Sequence, residues 1–422
     1  MIPSTFACND GRSFTNIKSG KSLVESRLFY LLFLPLPLVD SLNGMINGGG
    51  NDGVLSLGMV YRICIIAYCC FVILKGVIPK RSLTVFVVIV MLFVLPHAFD
   101  LIDSSFLSLA IKTMLPVLCI EAFIKECAEG KLGRRDLEQL IDAWSVLFPL
   151  AVLLPLVLGI GFQTYGGEDV GYKGFFYAQN DLCFILSILF FFCFGRVLRK
   201  ASFLNLAKLL LIGICIVLLG MKSGYLLACV SIAYWVMRSE ITFIKRIAIV
   251  LAIGFSALVA APFVSDAVGS ILNRWMYFSS SSNSFLDFFS SGRLERIPVA
   301  VDFLSSTEAN PAWFIFGVGM RYGESLAPFG LIEMDPLDLF FQFGVLGTAF
   351  LLAYYLRFLF LSLSEDTRHY RFALLMAFAL SISAGHVLNS ALSAMAFAVM
   401  CGLAWASQFE QSERYLEVRR AE

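Results

Sequence analysis

Arg293 and Arg296 stand three residues apart in the stretch GRLERIPVAVDFL, just after Gly292. A guanidinium presents a planar fork that grips phosphate oxygens in pairs, and a glycine lets backbone or ligand approach closely. Lys173, Lys222 and Arg321 are further cations outside the apolar runs, and the Gly-rich backbone around Lys173 can add N–H donors for an anion. Such a set could hold a phosphorylated group. The plainer alternative is solvated surface charge, balanced by the acids of the same loops.

Carboxylates follow along the chain. The run IEMDPLDLFFQFG brings Glu333, Asp335 and Asp338 close together. A carboxylate at the mouth of a cavity could take the proton of an acceptor hydroxyl. Asp335-Pro336 also reads as the cap of a helix beginning at Pro336. Both can hold, with Asp335 capping and Glu333 reaching inward. His386, in SAGHVLNSALSA, could hydrogen-bond across helices, titrate near neutral pH, or simply pack. The unit KGFFYAQNDL places Lys173, an aromatic cluster and Asn180 at the top of an apolar run, where aromatics ordinarily form an interfacial belt.

Other chemistries fit poorly. The three histidines, His97, His369 and His386, include no pair at ligand spacing, so no metal centre is expected. GVGMRYG at 317–323 lacks the dinucleotide-binding spacing, and GMKSG at 220–224 lacks the upstream glycine of a P-loop. The near balance of 32 basic and 31 acidic residues argues against nucleic acid as a partner.

The elements that must position these residues are helices in a membrane. Of 422 residues, 59% are hydrophobic and 15% charged, against roughly 25% charged in a soluble domain. About 20 apolar residues cross the hydrocarbon as a helix, whereas barrel strands are shorter and alternate. Twelve runs qualify, at about 28–47, 54–74, 82–97, 104–124, 141–159, 178–195, 203–220, 223–238, 242–261, 337–361, 372–386 and 389–408. The expected fold is an all-α polytopic membrane protein. The first 27 residues are polar and end in Arg27, so the first run is read as an uncleaved anchor.

Orientation follows from Lys and Arg. With a cytoplasmic N-terminus, inner segments hold 22 basic residues and outer ones only six: Lys173, Lys222, Arg274, Arg293, Arg296 and Arg321. Both termini are therefore expected inside. The organisation expected is a cytoplasmic tail (1–27), nine spans (28–261) with an outer Gly-rich loop at 160–177, a large outer loop (262–336), three spans (337–408) and a cytoplasmic tail (409–422). If 293–304 is helical, Leu294, Ile297, Val301 and Leu304 form an apolar stripe. Arg293 and Arg296 then share one edge, with Glu295 and Asp302 opposite and Pro298 marking the first turn.

Four pieces in order resemble the O-antigen polymerase and O-antigen ligase superfamily of bacterial inner-membrane glycan enzymes. Lys173-Gly174-Phe175-Phe176 followed by Asn180 is similar to the family's glycine–phenylalanine entry to a span, and GMKSG at 220–224 to its small basic turn between helices. Gly292-Arg293 followed by Phe316-Gly317-Val318-Gly319 resembles its signature in the large outer loop, and DLFFQFGVLG at 338–347 the helix after it. The likeness covers about 170–350, and GHVLNS fits as well.

The resemblance implies a glycosyltransferase of GT-C type, using sugars carried on undecaprenyl diphosphate at the outer face of the inner membrane. Arg293, Glu333 and Asp335 are then the candidate catalytic residues. Lys173, Asn180, Lys222, Arg296, Arg321 and His386 are candidates for binding diphosphate or glycan, with Arg293, Arg296 and Lys173 neutralising the leaving diphosphate. No metal or cofactor is implied. The implied partners are the lipid-linked glycan and the bilayer, with a chain-length regulator and a flippase beside them. Ligases of this superfamily tend to carry a histidine just before the helix that follows the large loop; here that region holds Glu333 and Asp335, which favours a polymerase. A ligase is the alternative, and a lipid-linked sugar flippase or transporter is the alternative from another class.

Overall fold

The computed structural model describes residues 23–48, 56–75, 106–165, 170–238, 290–305, 311–326, 330–385 and 387–421, with a few isolated positions besides. The expected spans at 82–97 and 242–261, and His386, lie outside the described residues. Thirteen α-helices are seen among those described. They are α1 (Leu23–Phe33), α2 (Leu36–Ile46), α3 (Leu57–Leu74), α4 (Phe106–Ala128), α5 (Arg134–Val157), α6 (Gln179–Arg199), α7 (Phe203–Leu219) and α8 (Lys222–Arg238), followed by α9 (Arg296–Ser305), α10 (Ala312–Phe316), α11 (Asp335–Leu356), α12 (Arg368–Ser383) and α13 (Ser393–Ala421). Among the described residues, five helical stretches are long and apolar enough to cross a membrane: Arg27–Ile46, Leu57–Leu74, Arg134–Val157, Gln179–Arg199 and Asp335–Phe360. The protein is a mostly helical, multi-pass membrane protein.

Two features depart from a purely helical reading. The first run is two helices, because Pro35 and Pro37 interrupt the hydrogen-bond ladder between α1 and α2. The Gly-rich loop folds as an antiparallel hairpin of β1 (Phe162–Tyr165) and β2 (Val170–Gly174), with Phe162 opposite Gly174 and Tyr165 opposite Val170. Gly171 and Gly174 sit at positive φ there, which glycine adopts without the Cβ clash other residues suffer.

α6 is the most enclosed of the membrane-length helices and packs against α5, α7 and α8. α4 lies between α3 and α13. Three basic residues within the spans have acidic partners, as a low-dielectric interior favours. Arg62 lies 2.6 Å from Asp40, Lys208 2.6 Å from Asp142, and Arg357 2.9 Å from Glu121. α7 ends at Gly220 in the left-handed conformation and α8 begins at Lys222, so GMKSG does form a short turn between helices.

The described part of the large loop has its own apolar core of Ala300, Val318, Tyr322, Leu326 and Ile332, closed by Phe341 of α11. α9 faces it through Ile297, Ala300 and Leu304. Val301, expected in the apolar stripe, is exposed instead. The helix begins at Arg296 rather than Arg293, so its register turns Ala300 inward; Pro298 does fall in the first turn.

Candidate functional site

Arg293 and Arg296 meet on one carboxylate. Arg293 Nη2 lies 3.0 Å and its Nε 3.2 Å from Glu333 Oε2, and Arg296 Nη1 lies 3.7 Å from the same oxygen. The turn at 290–295 makes this possible: the amide N–H groups of Arg293 and Arg296 donate to the carbonyls of Ser290 and Arg293. Arg293 is only 9% exposed and also donates from Nη1 to the Ser290 carbonyl. Arg296 donates to the Leu331 carbonyl at 3.0 Å, which ties the start of α9 to the strand of chain before α11. Burial lowers the Arg296 pKa, and the nearby Arg293 lowers it further while Glu333 raises it. Guanidinium groups remain charged at neutral pH, so the pair is a standing positive site.

Glu333 is held in an unusual conformation, with φ of 66°. That region is costly for a residue with a side chain and persists only where its surroundings enforce it. Gly385 supplies part of that enforcement. It sits against the Glu333 backbone so closely that an added Cβ would lie 2.5 Å from the Glu333 carbonyl oxygen.

Asp335 and Asp338 accept hydrogen bonds from backbone and hydroxyl donors rather than from the two arginines. Asp335 is 1% exposed, and its Oδ2 accepts the N–H groups of Val387 at 2.8 Å and Leu388 at 2.7 Å. It therefore does not cap its own helix: the cap position is Met334, and no side-chain cap bond is present. Asp338 instead reaches back over the start of α11. Its Oδ1 accepts from Ile332 N at 2.9 Å and from the Tyr322 hydroxyl at 2.8 Å, and its Oδ2 accepts from Met334 N at 3.1 Å. Burial, and then the Asp338 charge, push the Tyr322 hydroxyl well above its ordinary pKa, so it stays a donor.

Residues 387–392 form a buried strap between α12 and α13. Asp335 holds its Val387 and Leu388 amides, Asn389 donates to Gln342 at 2.8 Å, and the Ser390 hydroxyl donates to Asp181 near the start of α6. The strap thus joins the first turn of α6 to the first turns of α11. Asn180, buried beside Asp181, lies at that joint. Tyr322, Asp181, Asn389 and Ser390 are parts of the assembly that sequence reasoning did not single out. Polar residues such as Asn389 and Ser390 within an otherwise apolar run were the available signal.

The glycine motifs meet in the same region. α11 breaks at Gly344, with φ of 64°, which frees carbonyls of the preceding turn. Val318 N donates to the Phe341 carbonyl at 2.8 Å and Gly319 N to the Gln342 carbonyl at 3.1 Å. An added Cβ on Gly344 would lie 2.3 Å from the Ile315 carbonyl, and one on Gly317 would lie 2.3 Å from the Gln342 carbonyl.

The other expected residues lie on different elements. Lys173, on β2, is half-buried and donates to the Tyr177 carbonyl at 2.8 Å, and burial lowers its pKa. Lys222 opens α8 and is half-buried. The Arg321 backbone opens a short 3₁₀ turn, Arg321–Leu326, and its side chain is outside the described residues.

A family model described as O-antigen ligase like membrane protein matches residues 55–248. The chain is similar to the O-antigen ligase and polymerase superfamily, and the match supports a membrane enzyme of polysaccharide assembly that works with lipid-linked glycans. The matched segment includes Lys173, Asn180 and Lys222 and ends before Arg293. No curated protein matches the chain.

Proposed function

We propose that this protein is a polysaccharide polymerase. It would transfer a growing glycan from undecaprenyl diphosphate to a lipid-linked repeat unit at the outer face of the inner membrane, without a metal ion. The observation that carries the reading is the convergence of Arg293 and Arg296 on a single carboxylate in the large outer loop. Glu333 occupies the position that an anionic oxygen of the diphosphate would take. Binding of the diphosphate to the two guanidinium groups releases Glu333, whose freed carboxylate can then accept a proton.

In the reaction, the acceptor hydroxyl oxygen attacks the anomeric carbon of the donor glycan. The bond from that carbon to the phosphate oxygen breaks, and the electron pair leaves with undecaprenyl diphosphate. The hydroxyl proton passes to the Glu333 carboxylate. Arg293 and Arg296 stabilise the charge that grows on the diphosphate; donors aimed at developing charge act in the transition state. Asp335 holds the strap in place, with Lys173, Asn180, Lys222, Arg321 and His386 as candidates to line the glycan path.

A ligase is the second reading, because the family match is to ligase-like proteins. Proteoliposomes supplied with lipid-linked repeat units alone separate the two. A polymerase makes a ladder of chain lengths from that substrate, and EDTA leaves the ladder intact. Absence of a ladder until a different acceptor is added supports the ligase, and loss with EDTA that magnesium restores contradicts the metal-free mechanism.

A further inference from the structure

Away from the outer loops, five helices leave a cleft at the end of the bundle that the charge count assigns to the cytoplasm. Its lining includes Glu138 of α5, Arg196 and Arg199 of α6, Trp235 of α8, and His369 and Tyr370 of α12. Most of these polar groups have partners. Arg196 donates to Asp142 and to the Glu138 carbonyl. The Glu138 carboxylate accepts from the Tyr370 hydroxyl and lies 3.7 Å from Arg134 Nε.

Arg199 differs. Among the described residues no acid lies within ion-pair distance of it, and no acceptor takes its N–H groups. It stacks over Trp235, with the guanidinium carbon 5.2 Å from the ring centre. Stacking uses the flat face of the guanidinium and leaves the donors along its edge open. The platform beneath is fixed. The Trp235 indole donates to the Phe191 carbonyl at 2.8 Å, and its ring abuts Gly195, where an added Cβ would lie 2.4 Å away. Burial, and then Arg199, Arg238 and Arg134, disfavour a positive charge on His369.

We propose that this cleft binds a phosphate-bearing anion, with Arg199 as the fork that grips it and Trp235 as the platform that orients the fork. Basic pockets between helices at the cytoplasmic side suit the head groups of anionic lipids. A soluble phosphate is the other source of the same chemistry. This site is independent of the reading given for the outer loop.

The test uses the full chain, purified in a neutral detergent, stripped of lipid and followed by titration calorimetry. The titrants are dihexanoyl phosphatidylglycerol, dihexanoyl phosphatidylcholine and inorganic phosphate. Phosphatidylglycerol should bind in preference to phosphatidylcholine, and Arg199→Gln should weaken it about tenfold, as loss of charge-assisted hydrogen bonds does. Arg199 is exposed, so the variant should fold, and Arg199→Lys should recover part of the binding because it keeps charge without the fork. Binding of inorganic phosphate that Arg199→Gln abolishes, with no preference between lipids, assigns the site to a soluble anion. Binding that Arg199→Gln leaves unchanged, or equal binding of the two lipids with none of phosphate, overturns the proposal.

Discussion

At the scale of single residues, neighbouring carboxylates have different work despite their shared sequence context. Glu333 faces two arginines, whereas Asp335 accepts two buried backbone N–H groups of the strap. Removing the Asp335 side chain strands those donors, each worth about 1–3 kcal/mol when left unsatisfied in a buried site. Asp335→Ala should therefore lower the thermal midpoint of the detergent-solubilised protein by several degrees, and Asp335→Asn, which retains an acceptor, should lower it less. A base would behave differently: Asp335→Asn would then abolish turnover at an unchanged midpoint. Much of this could be seen in the chain. Arg293 and Arg296 were legible as cations outside the apolar runs, and Glu333 as one of three carboxylates clustered just before an apolar run. The division of labour between Glu333 and Asp335 was not, since it depends on Val387 and Leu388, which approach only through the tertiary fold.

At the scale of elements, the large loop is joined to the bundle by glycines. The break in α11 at Gly344 and the approach of Gly317 let the Val318 and Gly319 amides satisfy carbonyls of the broken helix. Gly344→Ala would meet both a left-handed backbone and the Ile315 carbonyl, the first alone costing about 1–3 kcal/mol. A lowered thermal midpoint or loss of monodisperse protein is expected, while Gly213→Ala in α7, with only ordinary contact to Phe190, should be tolerated. Equal stability of the two variants would contradict this account of the junction. The motifs FGVG and FFQFGVLG were visible as separate pieces; their mutual contact was not, because nothing local marks which glycine receives which carbonyl. The helices, by contrast, were readable from apolar run length. The β1–β2 hairpin was missed because a Gly-rich loop of that length carries too few alternating residues to announce strands.

At the scale of the whole molecule, the account requires the large loop to face the side where lipid-linked glycans are assembled. The charge asymmetry of 22 to six is the ground for expecting it outside. A cysteine at Ser281, a position beyond the described residues, should react with an impermeant maleimide in intact spheroplasts. Protection until lysis would invert the topology and remove the outer site with it. The same account makes Arg293 its centre, since losing one donor that stabilises transition-state charge costs on the order of 100-fold or more in rate. Arg293→Lys should recover only part of that activity, because it keeps the charge and loses the fork. The most direct measurement is glycan chain length on a gel for cells carrying Arg293→Ala, with the membrane level of the protein checked in parallel. The account predicts short or single-repeat glycans at normal protein level, and normal long chains at normal protein level would contradict it.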